Sequence, residues 1–293
     1  MSNKQDTETF PNARPVALPR VLVEPQVRAA LLEDLGRAGD LTSDAIVPAD
    51  LRSTLRLTAR QAGVLAGLDV ARLAFELIDP AIAVTPLLHD GARLVPGSVI
   101  ATIDGPARSI LTAERVALNF LGHLSGVASA TAQIADSIRG QGVRLTCTRK
   151  TLPGLRALQK YAVRVGGGSN HRFGLDDAIL IKDNHIALAG SLEAAVARAR
   201  AAAGHMVQIE VEVDALDQLR AALDLGVGLV LLDNMDLPTL REAVRINAGR
   251  AVLEASGRVN AETAPAIAAT GVDLIAVGWI THSAPVLDIG LDA

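Results

Sequence analysis

The second half of the chain repeats one unit, a short apolar strand followed by a helix, and this repetition limits the fold more than any other feature. β-Branched, apolar runs occur at 143–147, 178–181, 207–213, 228–232, 251–253 and 273–277. Helical segments rich in Ala, Leu, Arg and Glu separate them at 153–164, 191–203, 215–225, 238–248 and 260–269. Alternation of this kind predicts a parallel sheet with right-handed crossovers. Six such strands are fewer than the eight of a closed α/β barrel, so the pattern leaves an incomplete barrel and a doubly wound sheet both open.

Each strand ends in polar or small residues: Thr148-Arg149-Lys150, Lys182-Asp183-Asn184-His185, Glu212, Asp233-Asn234, Glu254-Ala255-Ser256-Gly257 and Gly278. In parallel α/β folds the strand C-termini open on one face, which holds the active site. Arg149, Lys150, Lys182, Glu212, Asp233 and Ser256 are therefore expected to converge on one pocket. The stretch Thr146–Ile186 also carries Lys160, Arg164, His171 and Arg172 around three consecutive glycines. In a chain of net charge −4, so local a cationic excess points to a small, heavily negative ligand. Glycines beside basic residues suit close approach of backbone to an anion.

The expected pocket has two electrical halves. Arg149, Lys150, Arg172 and Lys182 are cationic, and His171 joins them near neutral pH. Arginine grips carboxylate or phosphate through a planar fork, whereas lysine acts as a point charge. Opposite them, Glu212 and Asp233 suit Mg²⁺, which takes few carboxylates and completes its shell with water and phosphate oxygens. Gly257 and Gly278 stand at strand-to-helix turns, where backbone N–H groups seat phosphate. Together these suggest a phosphorylated, metal-bound donor and an acidic acceptor. Blander roles compete at several positions. Glu210 and Glu212 share one face of an alternating strand, Asp233-Asn234 suits a helix cap, Cys147 and His123 suit the core, His205 suits the surface, and Trp279 suits either pocket wall or core.

Only 2% of residues are aromatic, which argues against a stacking platform for nucleic acid, and the acidic balance argues against a general grip on its backbone. Cys147 is the only cysteine, which fits a reducing compartment. No apolar stretch reaches the roughly 20 residues that span a bilayer, and the polar start lacks a secretory core. A cytoplasmic protein is expected, with residues 1–22 a mobile tail.

From Val23 a helix with Val27, Ala30, Leu31 and Leu35 on one face should run to Gly36. Residues 51–59 alternate as a half-buried strand, Leu68–Ile78 read as a helix, and 82–111 as short strands with turns at Asp90-Gly91, Pro96-Gly97 and Gly105-Pro106. Thr112 is a plausible cap for an apolar helix ending at Ser125-Gly126, and a second helix covers 127–139. The expected division is an N-terminal α+β domain at 23–125, a barrel domain at 126–282, and a segment at 283–293 returning towards the first domain.

The segment TRKTLPGLRALQKYAVRVGGGSNHRFGLDDAILIKDNHI at 148–186 closely resembles the signature of the quinolinate phosphoribosyltransferase family. The resemblance continues through EDLGRAGDLTSDAIVP, LTAERVALNFLGHLSGVA, EVEVDALDQL, LLDNM, LEASGRVN and GVDLIAVGWITHSAPVLDIGLD. It implies an incomplete (open) α/β barrel with an N-terminal α+β sandwich-like domain. It also implies a homodimer or multiple of dimers that makes nicotinate mononucleotide, pyrophosphate and CO₂ from quinolinate and phosphoribosyl pyrophosphate with Mg²⁺, as a step in NAD biosynthesis.

Carried over residue by residue, Arg149, His171, Arg172 and Lys182 match the quinolinate grip, with Thr148 beside them and Lys150 between the two substrates. Arg115 matches an arginine that the partner subunit supplies. Glu212 and Asp233 match the metal and ribose side and, with Lys150, the catalytic set. Ser256, Gly257, Arg258, Val277, Gly278, Trp279 and His282 fall on the phosphate side. Arg258 and Trp279 depart from the family pattern, which has a small or neutral residue and an alanine there. Two other readings compete: a diverged, non-catalytic relative that binds an anionic metabolite, and phosphosugar chemistry on the same barrel.

Overall fold

The computed structural model describes residues 16–293 and divides into two compact units, one of residues up to Leu121 with Asp288–Ala293, the other Gly122–Leu287. In the first unit, helix α1 (Arg20–Leu35) buries Val23, Val27 and Leu31, a stripe with the i, i+4 spacing of one helix face. The helix starts at Arg20 rather than at the expected Val23 and stops at Gly36, whose φ of 55° suits glycine. Of the predicted mobile tail, residues 1–15 lie outside the described residues, and Arg20–Leu22 are helical. Helix α2 (Leu41–Ile46) is capped by Asp40, which accepts from Ser43 N at 3.0 Å.

Strands β1 (Arg52–Ala59) and β2 (Gly63–Val64) lead into α3 (Leu68–Ile78). The first amides of that helix are satisfied from a distance, since Asp90 accepts from Gly67 N at 2.7 Å and Leu68 N at 3.1 Å. Strands β3 (Ala83–Pro86), β4 (Arg93–Leu94) and β5 (Val99–Pro106) follow. With the last strand, β12 (Ile289–Asp292), they form an antiparallel sheet of order β12-β1-β5-β3, while β2 and β4 pair separately. The chain end thus returns to β1, with Leu57 opposite Leu291.

The predicted helical pair is a single helix, α4 (Ala107–Ser137). Thr112 does not cap it; its hydroxyl donates to Arg108 O at 2.9 Å, one turn back within the helix. Ser125-Gly126 do not break it either. A Cβ at Gly126 would collide with the Pro285 carbonyl, and one at Gly122 would come 2.9 Å from Leu287 O. These glycines permit close packing instead of a turn.

All six predicted strands of the second unit form. They are β6 (Arg144–Thr146), β7 (Ala178–Ile181), β8 (Gln208–Val213), β9 (Leu229–Asp233), β10 (Val252–Ser256) and β11 (Leu274–Ala276). The order is β6-β11-β10-β9-β8-β7, every pairing parallel. In this order β6, the first of the six in the chain, pairs with β11, the last, and no ladder joins the edge strands β6 and β7, so the barrel is open. Five expected helices appear as α5 (Arg156–Val165), α7 (Leu192–Ala202), α8 (Leu216–Asp224), α9 (Leu237–Asn247) and α10 (Ala264–Ala268). Two short ones, α6 (Asp183–Ala189) and α11 (Trp279–His282), replace what reads as polar loop.

At the open edge, residues after α5 fold back on β6, with Ser169 N donating to Leu145 O at 2.8 Å and Cys147 N to Ser169 O at 3.2 Å. The glycine triplet makes this return possible, not anion binding. A Cβ at Gly166 would strike Ala128 O and Thr131, and one at Gly168 would come 2.8 Å from Val163. Both backbones press on neighbouring helices.

Candidate active site

The returning segment delivers His171 and Arg172 to the barrel. Lys160, only 1% exposed, anchors the turn by donating to His171 O at 2.9 Å and approaching Cys147 Sγ at 3.2 Å. Lys160 is thus a buried tie between α5 and this segment rather than a ligand group. Arg164 lies on the exposed side of α5, Cys147 is fully buried and His205 is exposed. His123 is partnered by Gln159 at 2.9 Å, and burial lowers its pKa.

At the C-terminal ends of the strands lies a cavity of about 520 Å³, lined by side chains from every strand end or the residues just after it. Its cationic wall holds Arg149, Lys150, His171, Arg172 and Lys182, with Thr148 between them. Glu212 and Asp233 stand among its acidic groups, and Ser256, Gly257, Arg258, Val277, Gly278, Trp279 and His282 complete the predicted set within it. Arg115 is exposed on α4 and is not among the lining residues.

Several nitrogens of this wall lack partners. Arg172 Nη1 donates to Ala178 O at 3.0 Å, yet Nε of Arg172, Nε of Arg149 and Nδ1 of His171 are buried without a hydrogen bond. Burial and the neighbouring Arg149 push the Arg172 guanidinium below its ordinary pKa. Two like charges drawn together with orphaned N–H groups suit an anion with several oxygens. Lys182 pairs with Glu212, and Lys182 with His185 also caps α6, His185 Nδ1 accepting from Lys182 N at 3.0 Å.

The loops after β9 and β10 hold unusual backbone. Asn234 and Arg258 have φ of 53° and 48°, and Gly257 has 115°. A side chain at Gly257 would collide with Asn234, whose Nδ2 donates to Asp233 Oδ2 at 2.8 Å. Backbone in sparsely populated regions persists only where its surroundings enforce it, commonly at functional sites. Gly278 leaves room for Lys150, since a Cβ there would come 3.1 Å from Lys150 Cδ and 3.3 Å from Thr148 Oγ1. Trp279 is wall rather than core, its Nε1 donating to Val259 O at 2.8 Å and fixing the loop that carries Arg258.

Two acidic residues carry no site role in the sequence pattern, although it places Glu254 at a strand end and Glu210 on the face of Glu212. Glu210 and Glu254 are 3% and 2% exposed. Glu210 Oε2 meets His171 Nε2 at 2.8 Å, and Glu254 Oε1 lies 3.9 Å from the same nitrogen. Strand alternation was the available signal, because Glu210 precedes Glu212 by two and Glu254 precedes Ser256 by two. Burial, then the Glu210 charge, raise the Glu254 pKa to about 8. The folded protein therefore binds more protons than the unfolded chain between the ordinary carboxylate value and pH 8, so this group's contribution falls as pH rises through that window. Glu254→Gln should be increasingly more stable than the parent up to pH 9, by at most roughly 5 kcal/mol, as read by denaturant melts at pH 5.5, 7 and 9. A gap that does not widen with pH would contradict a protonated Glu254.

Comparison with known proteins decides the family. Residues 127–292 match the model of the quinolinate phosphoribosyl transferase C-terminal domain, and residues 40–125 that of its N-terminal domain. The chain belongs to the quinolinate phosphoribosyltransferase family. Within this family it is 48% identical over 271 residues to the nicotinate-nucleotide pyrophosphorylase [carboxylating] of Mycobacterium leprae, covering 91% of this chain and 95% of that one. The crystal structure of NadC from Streptococcus pyogenes superposes with a TM-score of 0.91 at 41% identity, over 95% of this chain and 98% of that one. The nicotinate-nucleotide pyrophosphorylase of Francisella tularensis gives 0.91 at 39% identity, over 96% and 99%.

Proposed function

We infer that this chain transfers the phosphoribosyl group of phosphoribosyl pyrophosphate to the ring nitrogen of quinolinate, releasing pyrophosphate and CO₂ and forming nicotinate mononucleotide for NAD biosynthesis. The observation that carries this reading is the cationic wall with its unpartnered buried nitrogens, Arg149 Nε, Arg172 Nε and His171 Nδ1, on a scaffold of this family.

Both substrates are anions that repel one another in water. The wall offsets this, each charged hydrogen bond contributing roughly 1.5–3 kcal/mol. Arg149 and Arg172 hold the carboxylates and so orient the ring, Lys150 stands between the acid-binding and phosphate-binding sides, and the Ser256–Arg258 loop receives phosphate oxygens. The ring nitrogen attacks the anomeric carbon as pyrophosphate departs, and positive charge grows on the ribose. Glu212 and Asp233 face that charge, so catalysis rests on positioning and preorganised electrostatics. Once the nitrogen is quaternary, the adjacent carboxylate leaves as CO₂, because the ring cation stabilises the electron pair left behind, and that carbon then takes a proton from water. No protein nucleophile is needed.

Glu212 and Asp233 also fit Mg²⁺, which binds through one or two carboxylates and takes its remaining ligands from water and phosphate. Bound there, the ion would neutralise pyrophosphate oxygens. The exposure of Arg115 on α4 and its absence from the lining of its own chain's cavity support a homodimer in which it reaches the partner's site, and the lone buried Cys147 supports a cytoplasmic setting. Among the described residues no helix is long and apolar enough to cross a membrane.

Mixing Arg115→Ala with Lys182→Ala tests the shared site. Each parent should be nearly inactive, while subunit exchange should restore about a quarter of wild-type activity, since half the dimers are mixed and each regains one site. No recovery after verified exchange would sink sharing. A diverged, non-catalytic binder is disfavoured because Lys150, Lys182, Glu212 and Asp233 all line the same cavity. Turnover of quinolinate but not nicotinate would support the acid-pair reading, and equal use of both would oppose it.

A further inference from the structure

His171, Glu210 and Glu254 form a cluster whose donor atoms lie within 4.8 Å of one another. It sits between two hollows. His171 and Glu254 line the active-site cavity, and all three line a second cavity of about 270 Å³ bounded by residues at the opposite strand ends, such as Arg144 and Gln208. Glu210 Oε1 and Glu254 Oε1 are buried and unpartnered. The spacing alone would admit a metal ion. The 2.8 Å contact between His171 and Glu210, however, turns two of the three donors on each other rather than on a common centre.

We propose that Glu254 is a specificity-determining residue held as a neutral carboxylic acid, and that a dicarboxylate enters the acid-binding half of the cavity only while Glu254 keeps its proton. The proposal rests on reading that cavity as the quinolinate site. The groups around Glu254 explain why it must be neutral. From β9 the cavity receives Leu231 and Asp233, and from β11 Leu274 and Ala276 face the two hollows. Across the barrel Glu210 is already engaged with His171, and the imidazole nitrogen His171 Nε2 is 3.9 Å from Glu254. Arg172 bonds Ala178 O, and Arg144 lines only the second cavity. Two buried carboxylates with a single imidazole between them carry one charge too many, so one keeps a proton.

That Glu254's pKa stands near 8 agrees with this arrangement. A dianion arriving above it raises the cost of ionising Glu254 further, so binding above that pH takes a proton from solvent. Glu254 also lines the second cavity, apart from the active-site cavity in which the acid would bind. Glu254 thereby sets a pH ceiling on acid binding while leaving the cationic wall unchanged.

The test is calorimetry with phthalate, which carries the same vicinal carboxylate pair without the reactive nitrogen, in buffers of different ionisation enthalpy. At pH 8.5 the parent should take up close to one proton per site, and little at pH 6.5. Its affinity should fall by up to about tenfold per pH unit above 8. Glu254→Gln should bind phthalate with affinity that varies little between pH 7 and 9 and without that uptake, and Glu254→Asp should restore it. Proton uptake by Glu254→Gln equal to the parent's, or a parent affinity that does not change with pH, would overturn the proposal. Turnover of quinolinate by the same parent sample separates the two claims. With turnover intact, either result strikes the Glu254 proposal alone; without turnover, the site reading falls and takes the proposal with it.

Discussion

Arg172→Ala is expected to lose quinolinate binding while keeping its fold. The guanidinium is fixed by its bond to the Ala178 carbonyl at 3.0 Å, and its Nε is buried without a partner. Removing it leaves carboxylate oxygens of the bound acid desolvated and unpaired. Truncating one side of a buried charged pair costs about 2–5 kcal/mol, which is roughly 30- to 3000-fold in kcat/KM. The loss should fall mainly on KM for quinolinate, with KM for phosphoribosyl pyrophosphate changing little. Arg172→Lys should recover only a small part, because an ammonium cannot reproduce the planar fork. Unchanged kinetics in a folded Arg172→Ala protein would remove this residue from the site.

Glu212→Gln should act on the other half of the reaction. Glu212, the last residue but one of β8, lines the cavity and holds Lys182 in an ion pair. In the transition state it faces positive charge growing on the ribose, and groups aimed at such charge are worth about 10²- to 10³-fold in kcat. The amide keeps the shape and loses the charge, so kcat should fall while KM for quinolinate changes by only a few-fold. Steady-state kinetics with each substrate varied in turn would show the split. A loss confined to KM for quinolinate would reassign Glu212 to acid binding through Lys182.

Much of this arrangement could be read from residue pattern. The six barrel strands were legible because apolar β-branched runs alternate with helices at regular intervals, and their polar ends met in one cavity as parallel topology requires. What escaped depended on long-range packing. Gly126 reads as a helix end, yet its missing side chain admits the Pro285 carbonyl. Gly166 and Gly168 read as an anion loop, yet they press on Ala128, Thr131 and Val163. Lys160 reads as one of a cationic set, but it spends its charge on the carbonyl of His171. Glu254 reads as part of a polar strand end with no role of its own, yet β10 runs through Ser256 and buries it. Asp183–Ala189 opens with three polar residues and is too short to show an apolar period, so this helix was not legible in the sequence.

The central claim is that one cavity joins quinolinate to a phosphoribosyl group and releases its adjacent carboxylate. Quinolinate labelled in the carboxyl group beside the ring nitrogen, incubated with phosphoribosyl pyrophosphate and Mg²⁺, measures this directly. The account predicts equal molar yields of labelled CO₂, pyrophosphate and nicotinate mononucleotide, all absent without the enzyme. Pyrophosphate release without CO₂, or no release of either from a folded protein, would contradict it.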